Sequence, residues 1–569
     1  MILQYNDCRE IIYFSSTCKA LREMVLNNQL LWKKKYKAAL PYIMFKSMEK
    51  NGDGNWSHEV KQFYVVKRQV YDEVVDMSSK YYWQCYDISL EDVRNFFTIA
   101  LASKVNYFYV VYVLQDLVWK TNIYIDKNCA RKPFTMTEMF YAKVALRHLV
   151  QTFLSVKWVS SHMKKELPPD IVVNYFLQWV DPFRWHSDQY VTAEIDELAA
   201  KAKSIIDSKQ PEWASLTIEE RLSKNILHEK QILAAISTVI FKMKHMALSS
   251  SVSVDTLNIM QVLKSRITCA ISMAAIYHAI ASRCNVTCEL VSFPNHLFLE
   301  WRDTSDIKNP IVYSIDLSTG ELRPKRRCPF SKKDHSTSYS YKYCPDSLLQ
   351  FVYSSFQLSM GAIKNWNTQN AFHLLDFLGT SHSQLNPYRN FLPYLIDHTH
   401  LPALNIPLDI LNLHESHILL IDSLANLNPA VKPATKEFVL KRHVSKVKYA
   451  VGMVCYHKKF DYVGIIRAWD TACNIKLADR MEMELNLHFG MDQPFYYVVA
   501  ADQSSRYVAE ENIVELTRPS RLFHLEEVIA REFTHFDGFA YVPNDEKRSE
   551  YPDEGPIVAV YRNRCRLRP

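Results

Sequence analysis

Residues 263–317 read LKSRITCAISMAAIYHAIASRCNVTCELVSFPNHLFLEWRDTSDIKNPIVYSIDL, and this stretch decides the fold of the middle of the chain. Met273, Ile276, Tyr277 and Ile280 recur at the spacing of one helical face, so Ile271–Arg283 is expected as a buried helix. Asn285 can close that helix in a left-handed turn. Thr287–Phe293 and His296–Trp301 alternate or run apolar on either side of Pro294-Asn295. Ile311–Leu317 follows, before a turn at Ser318-Thr319-Gly320. Each of the three runs reads as a strand.

A residue at a helix start, a His opening one strand and an Asp on the next is the layout of the papain/transglutaminase-type catalytic core. In that core the helix dipole favours a Cys thiolate, His is the base and Asp orients the His. Arg266, Ile271 and Ser272, with Phe293-Pro294-Asn295-His296-Leu297-Phe298 and Ser314-Ile315-Asp316, resemble the SirB-like branch of the transglutaminase-like superfamily. Thr268 replaces that branch's Gly and Ala270 its Pro; in active transglutaminases the Ala270 position holds the nucleophilic Cys. Ala270 has nothing to attack with, so no catalytic residue is expected, and Ala270, His296 and Asp316 stand as degenerate triad positions of a pseudoenzyme. Cys269 lies one residue away, but one step along a helix turns a side chain by about 100°. It is expected as a packed core thiol. His296 and Asp316 are expected as a hydrogen-bonded pair pinning two strands.

At 569 residues the chain has room for three or four domains. Its 48% hydrophobic and 23% charged content are those of a globular protein. Only 10 glycines argue for much helix, and no GxGxxG or Walker pattern is present to cradle phosphates. A net charge of +7 is modest for this length and does not by itself point to nucleic acid. The 12 cysteines are scattered, with one CxxxC pair at Cys284 and Cys288, so neither a metal nor any other cofactor is expected. The longest apolar run, Val105–Trp119, contains Gln115 and Asp116 and is too short to span a bilayer; no membrane association is expected. Met1-Ile2-Leu3-Gln4 lacks the basic start of a signal peptide, which fits a cytoplasmic or nuclear protein with reduced thiols.

Towards the N-terminus, Ile11, Phe14, Cys18 and Leu21 share a helical face, and Leu30-Leu31-Trp32 precede Lys33-Lys34-Lys35. Ile2-Leu3, then Asp7, Cys18 with Leu21, and Leu31-Trp32 resemble the latter part of an F-box, which docks on the Skp-family adaptor of a cullin–RING ubiquitin ligase. The resemblance implies an adaptor-binding set of Ile2, Leu3, Cys18, Leu21, Leu31 and Trp32. Residues 1–40 lack the Leu-Pro-x-Glu that opens an F-box and are expected to be truncated at their start. Residues 41–165 are helical by pattern, with Phe63, Val66, Val70, Val74 and Val75 in one segment, and read as a stalk. Residues 166–428 make up the SirB-like domain, which usually ends in helix pairs, here Leu348–Leu378 and Pro387–Leu420. Pro429–Lys446 reads as a linker.

In residues 447–545, short apolar runs separated by turns indicate a small β-barrel. Gly452, His457, Tyr462, Gly464, Trp469, Asp470, Gln493-Pro494-Phe495-Tyr496, Tyr507, Glu511-Asn512 and Pro519 resemble the motif of the YccV-like (HspQ) family, named for hemimethylated-DNA binding. From residue 446 to 545 there are 11 Lys and Arg against 15 Asp and Glu, a net of −4. DNA binding, which neutralises phosphates, is therefore possible but disfavoured. Residues 546–569, with Arg562, Arg564, Arg566 and Arg568, read as a basic tail.

The expected fold class is multidomain α+β: a helical F-box and stalk, a transglutaminase-like α+β core with C-terminal helix pairs, and a small β-barrel. This order resembles the F-box only protein 21 family. It implies a non-catalytic substrate-recognition subunit of an SCF-type E3 ubiquitin ligase, whose partners are a Skp-family adaptor, the cullin–RING scaffold and a protein client. Two alternatives are a cysteine-dependent acyltransferase or protease using Cys269 and a DNA-binding protein working through the YccV-like domain.

Overall fold

The computed structural model describes residues 3, 6–51, 54–84, 88, 92–103, 105–123, 135–163, 167–183, 188–293, 296–303, 311–324, 344–361, 367, 370, 371, 374, 438–474 and 487–567. The chain mixes helix and sheet and divides into two compact units. One joins Met1–Leu149 to Leu424–Pro569, and the other is Val150–Ser423. The N- and C-terminal ends of the sequence are thus one body.

The first unit opens with three short helices, α1 (Cys8–Ser15), α2 (Lys19–Asn27) and α3 (Gln29–Ala39). Asp7 caps α1 in a reciprocal box with Glu10. The hydroxyls of Ser15, Ser16 and Thr17 then donate to the carbonyls of Ile12, Tyr13 and Phe14, competing with the helix ladder and ending it. The single helical face read through Ile11, Phe14, Cys18 and Leu21 is therefore broken, and Cys18 is the extended N-cap of α2. α4 (Tyr42–Asn51), α5 (Trp56–Tyr81), α6 (Arg94–Leu101), α7 (Asn106–Ile123) and α8 (Met136–Met163) follow. α5 buries Phe63, Val66, Val70 and Val74 and leaves Val75 outside. Its fit to α3 and α7 is aromatic, with Tyr109 edge-on to both Tyr36 and Phe63.

In the second unit, α9 (Pro169–Val180), α10 (Asp188–Lys209), α11 (Ile218–Ser223) and α12 (Glu229–Ser237) precede a short parallel pair, β1 (Ala247–Ser249) and β2 (Ile267–Cys269). Between these strands lie α13 (Val254–Leu257) and α14 (Ile259–Ser265). The expected central helix is α15 (Ala270–Arg283), packed against α9, α10 and a sheet, with Asn285 at φ 58° just past its end. The sheet is antiparallel in the order β3 (Cys288–Phe293), β4 (His296–Asp303), β5 (Ile311–Ile315), β6 (Leu322–Pro324). Gly320, at φ 76°, turns β5 into β6, and a Cβ there would meet Ser237 Oγ at 2.4 Å. α16 (Pro345–Met360) occupies the start of the first expected terminal helix pair. Pro387–Leu420 lies outside the described residues.

The C-terminal part of the first unit holds β7 (Val454–His457), β8 (Tyr462–Asp470), β9 (Phe495–Ala500), β10 (Ser505–Ala509) and β11 (Ile513–Glu515). They form one antiparallel sheet in the order β10-β9-β8-β7-β11. The expected barrel is not closed among the described residues, where the edge strands β10 and β11 do not pair with each other. After it come α17 (Phe523–Ile529), the hairpin β12 (Phe533–Phe536) and β13 (Tyr541–Pro543), α18 (Asp545–Glu550) and α19 (Glu554–Leu567). The expected basic tail is therefore mostly helix: Tyr561 is fully buried, Arg564 reaches Glu515 at 2.9 Å and Arg562 pairs with Asp537. The described part of the expected linker is clamped as well. Lys441 donates its backbone N–H to the Glu550 carbonyl and its ammonium to Asp470, and Arg442 pairs with Asp553.

The helices of residues 41–165, read as a stalk, also pack on the C-terminal sheet. Met136 and Met139 of α8 sit in the core of that sheet, and Thr137 donates to the Phe533 carbonyl at 3.1 Å. Ser78 of α5 donates to Glu546 at 2.8 Å. Arg531 reaches the open end of α5, donating to the carbonyls of Tyr81, Tyr82 and Gln84 at 2.5, 3.0 and 2.8 Å. A charged donor satisfying several buried carbonyls is worth about 1.5–3 kcal/mol per bond, and these share one nitrogen. Arg531→Ala should lower the stability of the first unit by about 2–3 kcal/mol, read as an earlier denaturant midpoint, with Arg531→Lys recovering part of it.

Candidate functional site

Of the site positions predicted in the second unit, Ala270 opens α15, His296 opens β4 and Asp316 follows β5. β2 delivers the chain into the helix, and Ala270, its first residue, is exposed. Cys269 is 1% exposed, its thiol 3.7 Å from Ser272 Oγ, and Ser272 in turn donates to the Leu257 carbonyl at 3.0 Å. Burial pushes the Cys269 thiol pKa up despite the hydrogen bonds around it, so the nucleophilic thiolate is disfavoured. The thiol next to the nucleophile position belongs to the core.

His296 opens β4 opposite Phe293 and is described as backbone only. The β4–β5 ladder pairs Leu299 with Ile315, and carrying that register on sets position 296 diagonally across from position 316. Asp316 is engaged by its own turn: Ser318 donates both its backbone N–H, at 2.8 Å, and its hydroxyl, and Arg323 reaches the other carboxylate oxygen at 2.6 Å. Burial acts to raise the Asp316 pKa, but the Ser318 bonds and the Arg323 charge outweigh it and the net direction is down. The Asp316 carboxylate is thus held by Ser318 and Arg323, and the first residue of α15 carries a methyl group.

The adaptor-docking positions divide differently from expectation. Leu31 and Trp32 are buried, Trp32 donating its indole N–H to the Val25 carbonyl at 2.8 Å. Leu21 is half-buried, Leu3 is described and half-buried, and Ile2 lies outside the described residues. Solvent instead meets Ile12 (45% exposed), Tyr13 (65%), Met24 (58%) and Leu30 (76%). Three consecutive short helices each leave apolar side chains in water. The F-box resemblance points to Leu31 and Trp32, which the fold uses for its own core. Only the tertiary packing tells which side of α3 is spare.

In the C-terminal sheet most motif residues are structural pins. Gly452, at φ 91°, lets the chain cross Tyr541, whose carbonyl oxygen would lie 2.0 Å from an added Cβ. Gly464 lies equally close to Val498 and Val499. Tyr496 is fully buried and donates to Glu510 at 2.6 Å while accepting from the backbone N–H of Lys448. Glu511 accepts from the backbone N–H groups of His488 and Phe489, and Gln493 from that of Glu511. His457 Nδ1 accepts from the backbone N–H groups of Lys459 and Phe460. Tyr507 donates to Asp470 at 2.9 Å, and Phe495 is buried beneath it. Trp469 donates to Glu554 of α19, a residue outside the motif. The net charge of −4 over 446–545 omits α18, α19 and the clamped segment; over 438–569 there are 19 basic and 19 acidic residues. That longer stretch of sequence is balanced, and Arg562, Arg564 and Arg566 are spent on Asp537, Glu515 and the Phe539 ring.

Comparison with known proteins agrees with these two sheet-bearing regions. The transglutaminase-like superfamily matches residues 189–335, and the hemimethylated DNA-binding protein YccV-like family matches residues 447–539. F-box only protein 21 of Pongo abelii is 25% identical over 98% of this chain and 92% of its own length. The human protein of the same name is 25% identical over the same shares, and the mouse protein 24%. The chain resembles F-box only protein 21 from end to end. No solved structure matches it significantly.

The residues that sequence reasoning passed over are Glu554, Arg531, Met24 and Leu30. None belongs to a local pattern: each acquires its role from a segment hundreds of residues away or from packing that leaves it bare. Two measurements check the site's chemistry. At neutral pH, iodoacetamide should modify exposed Cys18 in the native chain and reach Cys269 only after unfolding, because the buried thiol stays protonated. Asp316→Asn should lower the melting temperature above pH of about 4, the unfolded carboxylate range. The difference should vanish in stronger acid, since the stabilisation from a depressed pKa is lost as pH falls through the folded value.

Proposed function

We propose that this chain is the substrate-recognition subunit of an SCF-type E3 ubiquitin ligase, working in the cytoplasm or nucleus. In this reading the N-terminal helices hold a Skp-family adaptor. The transglutaminase-like and YccV-like domains serve as non-catalytic binding modules, and ubiquitin is delivered by the cullin–RING part of the assembly. The observation that carries the reading is the exposed apolar surface of α1–α3. Apolar side chains left in water on consecutive helices mark an interaction site, and the end-to-end resemblance to an F-box only protein supports the adaptor as its occupant. The buried, protonated Cys269 thiol and the methyl group at Ala270 support the absence of thiol catalysis.

Affinity for purified Skp-family adaptor tests this. Met24→Glu with Leu30→Glu should weaken adaptor binding at least tenfold, about 1.4 kcal/mol or more, with the fold intact. Trp32→Ala should instead destabilise the helical module by about 3–5 kcal/mol, as the loss of a large core aromatic does. Unchanged adaptor affinity in the folded double variant, or no adaptor retained by the wild-type chain, sinks the reading.

A further inference from the structure

The two edges of the C-terminal sheet are treated unequally. Along β11, Lys458 N–H bonds to the Asn512 carbonyl, so the backbone of Ile513 faces away from β7. That outward carbonyl is taken by the Tyr449 hydroxyl at 3.1 Å, and α19 covers the neighbourhood, with Tyr561 bonding to the Leu516 carbonyl and Arg564 to Glu515. At β10, Ala500 N–H bonds to the Ser504 carbonyl and Glu510 N–H to the Pro494 carbonyl. Those two bonds fix the parity: Arg506 and Val508 face β9, while Ser505, Tyr507 and Ala509 turn their N–H and C=O groups outward. Among the described residues no group bonds the outward main chain of Ser505 or Tyr507. An unpaired edge beside a plugged one is unusual, because such edges are ordinarily blunted.

The side chains along this edge add a second property. Tyr507 packs against Tyr497, ring centroids 4.6 Å apart, and over Phe495 at 5.0 Å. Tyr497 is 38% exposed. On the other face Arg506 is laid on Tyr462 at 4.4 Å and tied to Asp502 at 2.6 Å. The edge thus offers alternating main-chain donors and acceptors with a tyrosine ledge on one face and a satisfied arginine on the other. We infer that β10 is a docking edge that takes an extended protein segment as a sixth strand, with alternate apolar side chains of that segment resting on Tyr497 and Tyr507. Only a main chain in extended form matches donors and acceptors that repeat every second residue. The inference deepens the receptor reading and rests on it for the claim that the segment belongs to a client.

A phage-displayed library of random 16-residue peptides, selected on the full chain, supplies the probe. Ser505→Pro removes one outward N–H without touching the ladder to β9, the one kind of sheet position where proline is tolerated. Selected peptides should lose about tenfold or more in affinity for Ser505→Pro. N-methylation along the peptide should abolish binding at every second residue, a period that side-chain docking does not produce. Binding undiminished in the folded Ser505→Pro chain, an N-methyl scan without the period of two, or a library yielding no Ser505-dependent peptide overturns the inference. A dimer of the chain that Ser505→Pro dissolves, with no peptide bound, assigns the edge to a second copy and likewise overturns it. If Ser505→Pro fails to fold, the N-methyl scan on the wild-type chain decides alone. Adaptor binding is measured separately on Met24→Glu with Leu30→Glu, so loss of the receptor reading and loss of the edge are told apart.

Discussion

A 26-residue helix that ends inside a protein leaves carbonyl groups that cannot find partners in the helix itself. In α5 that end is closed by one side chain, Arg531, which lies about 450 residues further along the chain. The guanidinium supplies planar, permanently charged donors where the helix dipole is negative, so dipole and hydrogen bonding act in the same direction. Around it Ser78 meets Glu546, Met136 and Met139 enter the sheet core, and Lys143 pairs with Glu527 at 2.7 Å. The first unit exists as one body because the first and last quarters of the chain share this junction.

That junction changes what the helical region does. A flexible connection would leave the N-terminal helices and the C-terminal sheet to diffuse relative to one another. Here the helices that expose Met24 and Leu30 and the sheet that carries β10 belong to the same compact unit. For a receptor acting by proximity, effective concentration depends on how much freedom separates the tethered sites. A packed junction removes freedom that a linker would leave.

The local elements were legible in the sequence: α15, its Asn285 stop, and the strands through 288–315 follow from apolar period and turn residues. That the helix opens on a methyl group was legible too, because Ala270 is a fact of the sequence. What could not be read is long-range. Nothing near Arg531 says that it ends a helix begun at Trp56, and nothing in Arg562, Arg564 and Arg566 says that they are spent on Asp537, Glu515 and Phe539. The read-through of α1 into α2 failed for a local reason of a different kind. Ser15, Ser16 and Thr17 are weak breakers singly, and here three in succession turn their hydroxyls back on the ladder at the end of α1. Leu31 and Trp32 were named by the F-box resemblance, and large apolar residues are what a small helical module most needs for its own core.

The C-terminal module shows the same preference for position over strength. Glu554 is 5% exposed and accepts from Trp469, from the backbone of Val451 and from His443, and elsewhere in the module Arg467 and Glu532 form a two-pronged pair at 2.6 and 3.0 Å. Removing such charges from water costs several kcal/mol each, so they add little net stability compared with an apolar packing of equal volume. Their yield is register. Each pair connects α19, the hairpin or the clamped segment to one strand position, and a slip by one residue would leave a charge buried without its partner. The shared motif glycines act on the same principle by sterics. At Gly452 and Gly464 the backbone comes too close to Tyr541 and Val499 for any Cβ, so the strands meet there in only one arrangement. A sheet whose interior is fixed at this many points can leave one edge unpaired and still keep its fold, which is the condition an open β10 requires.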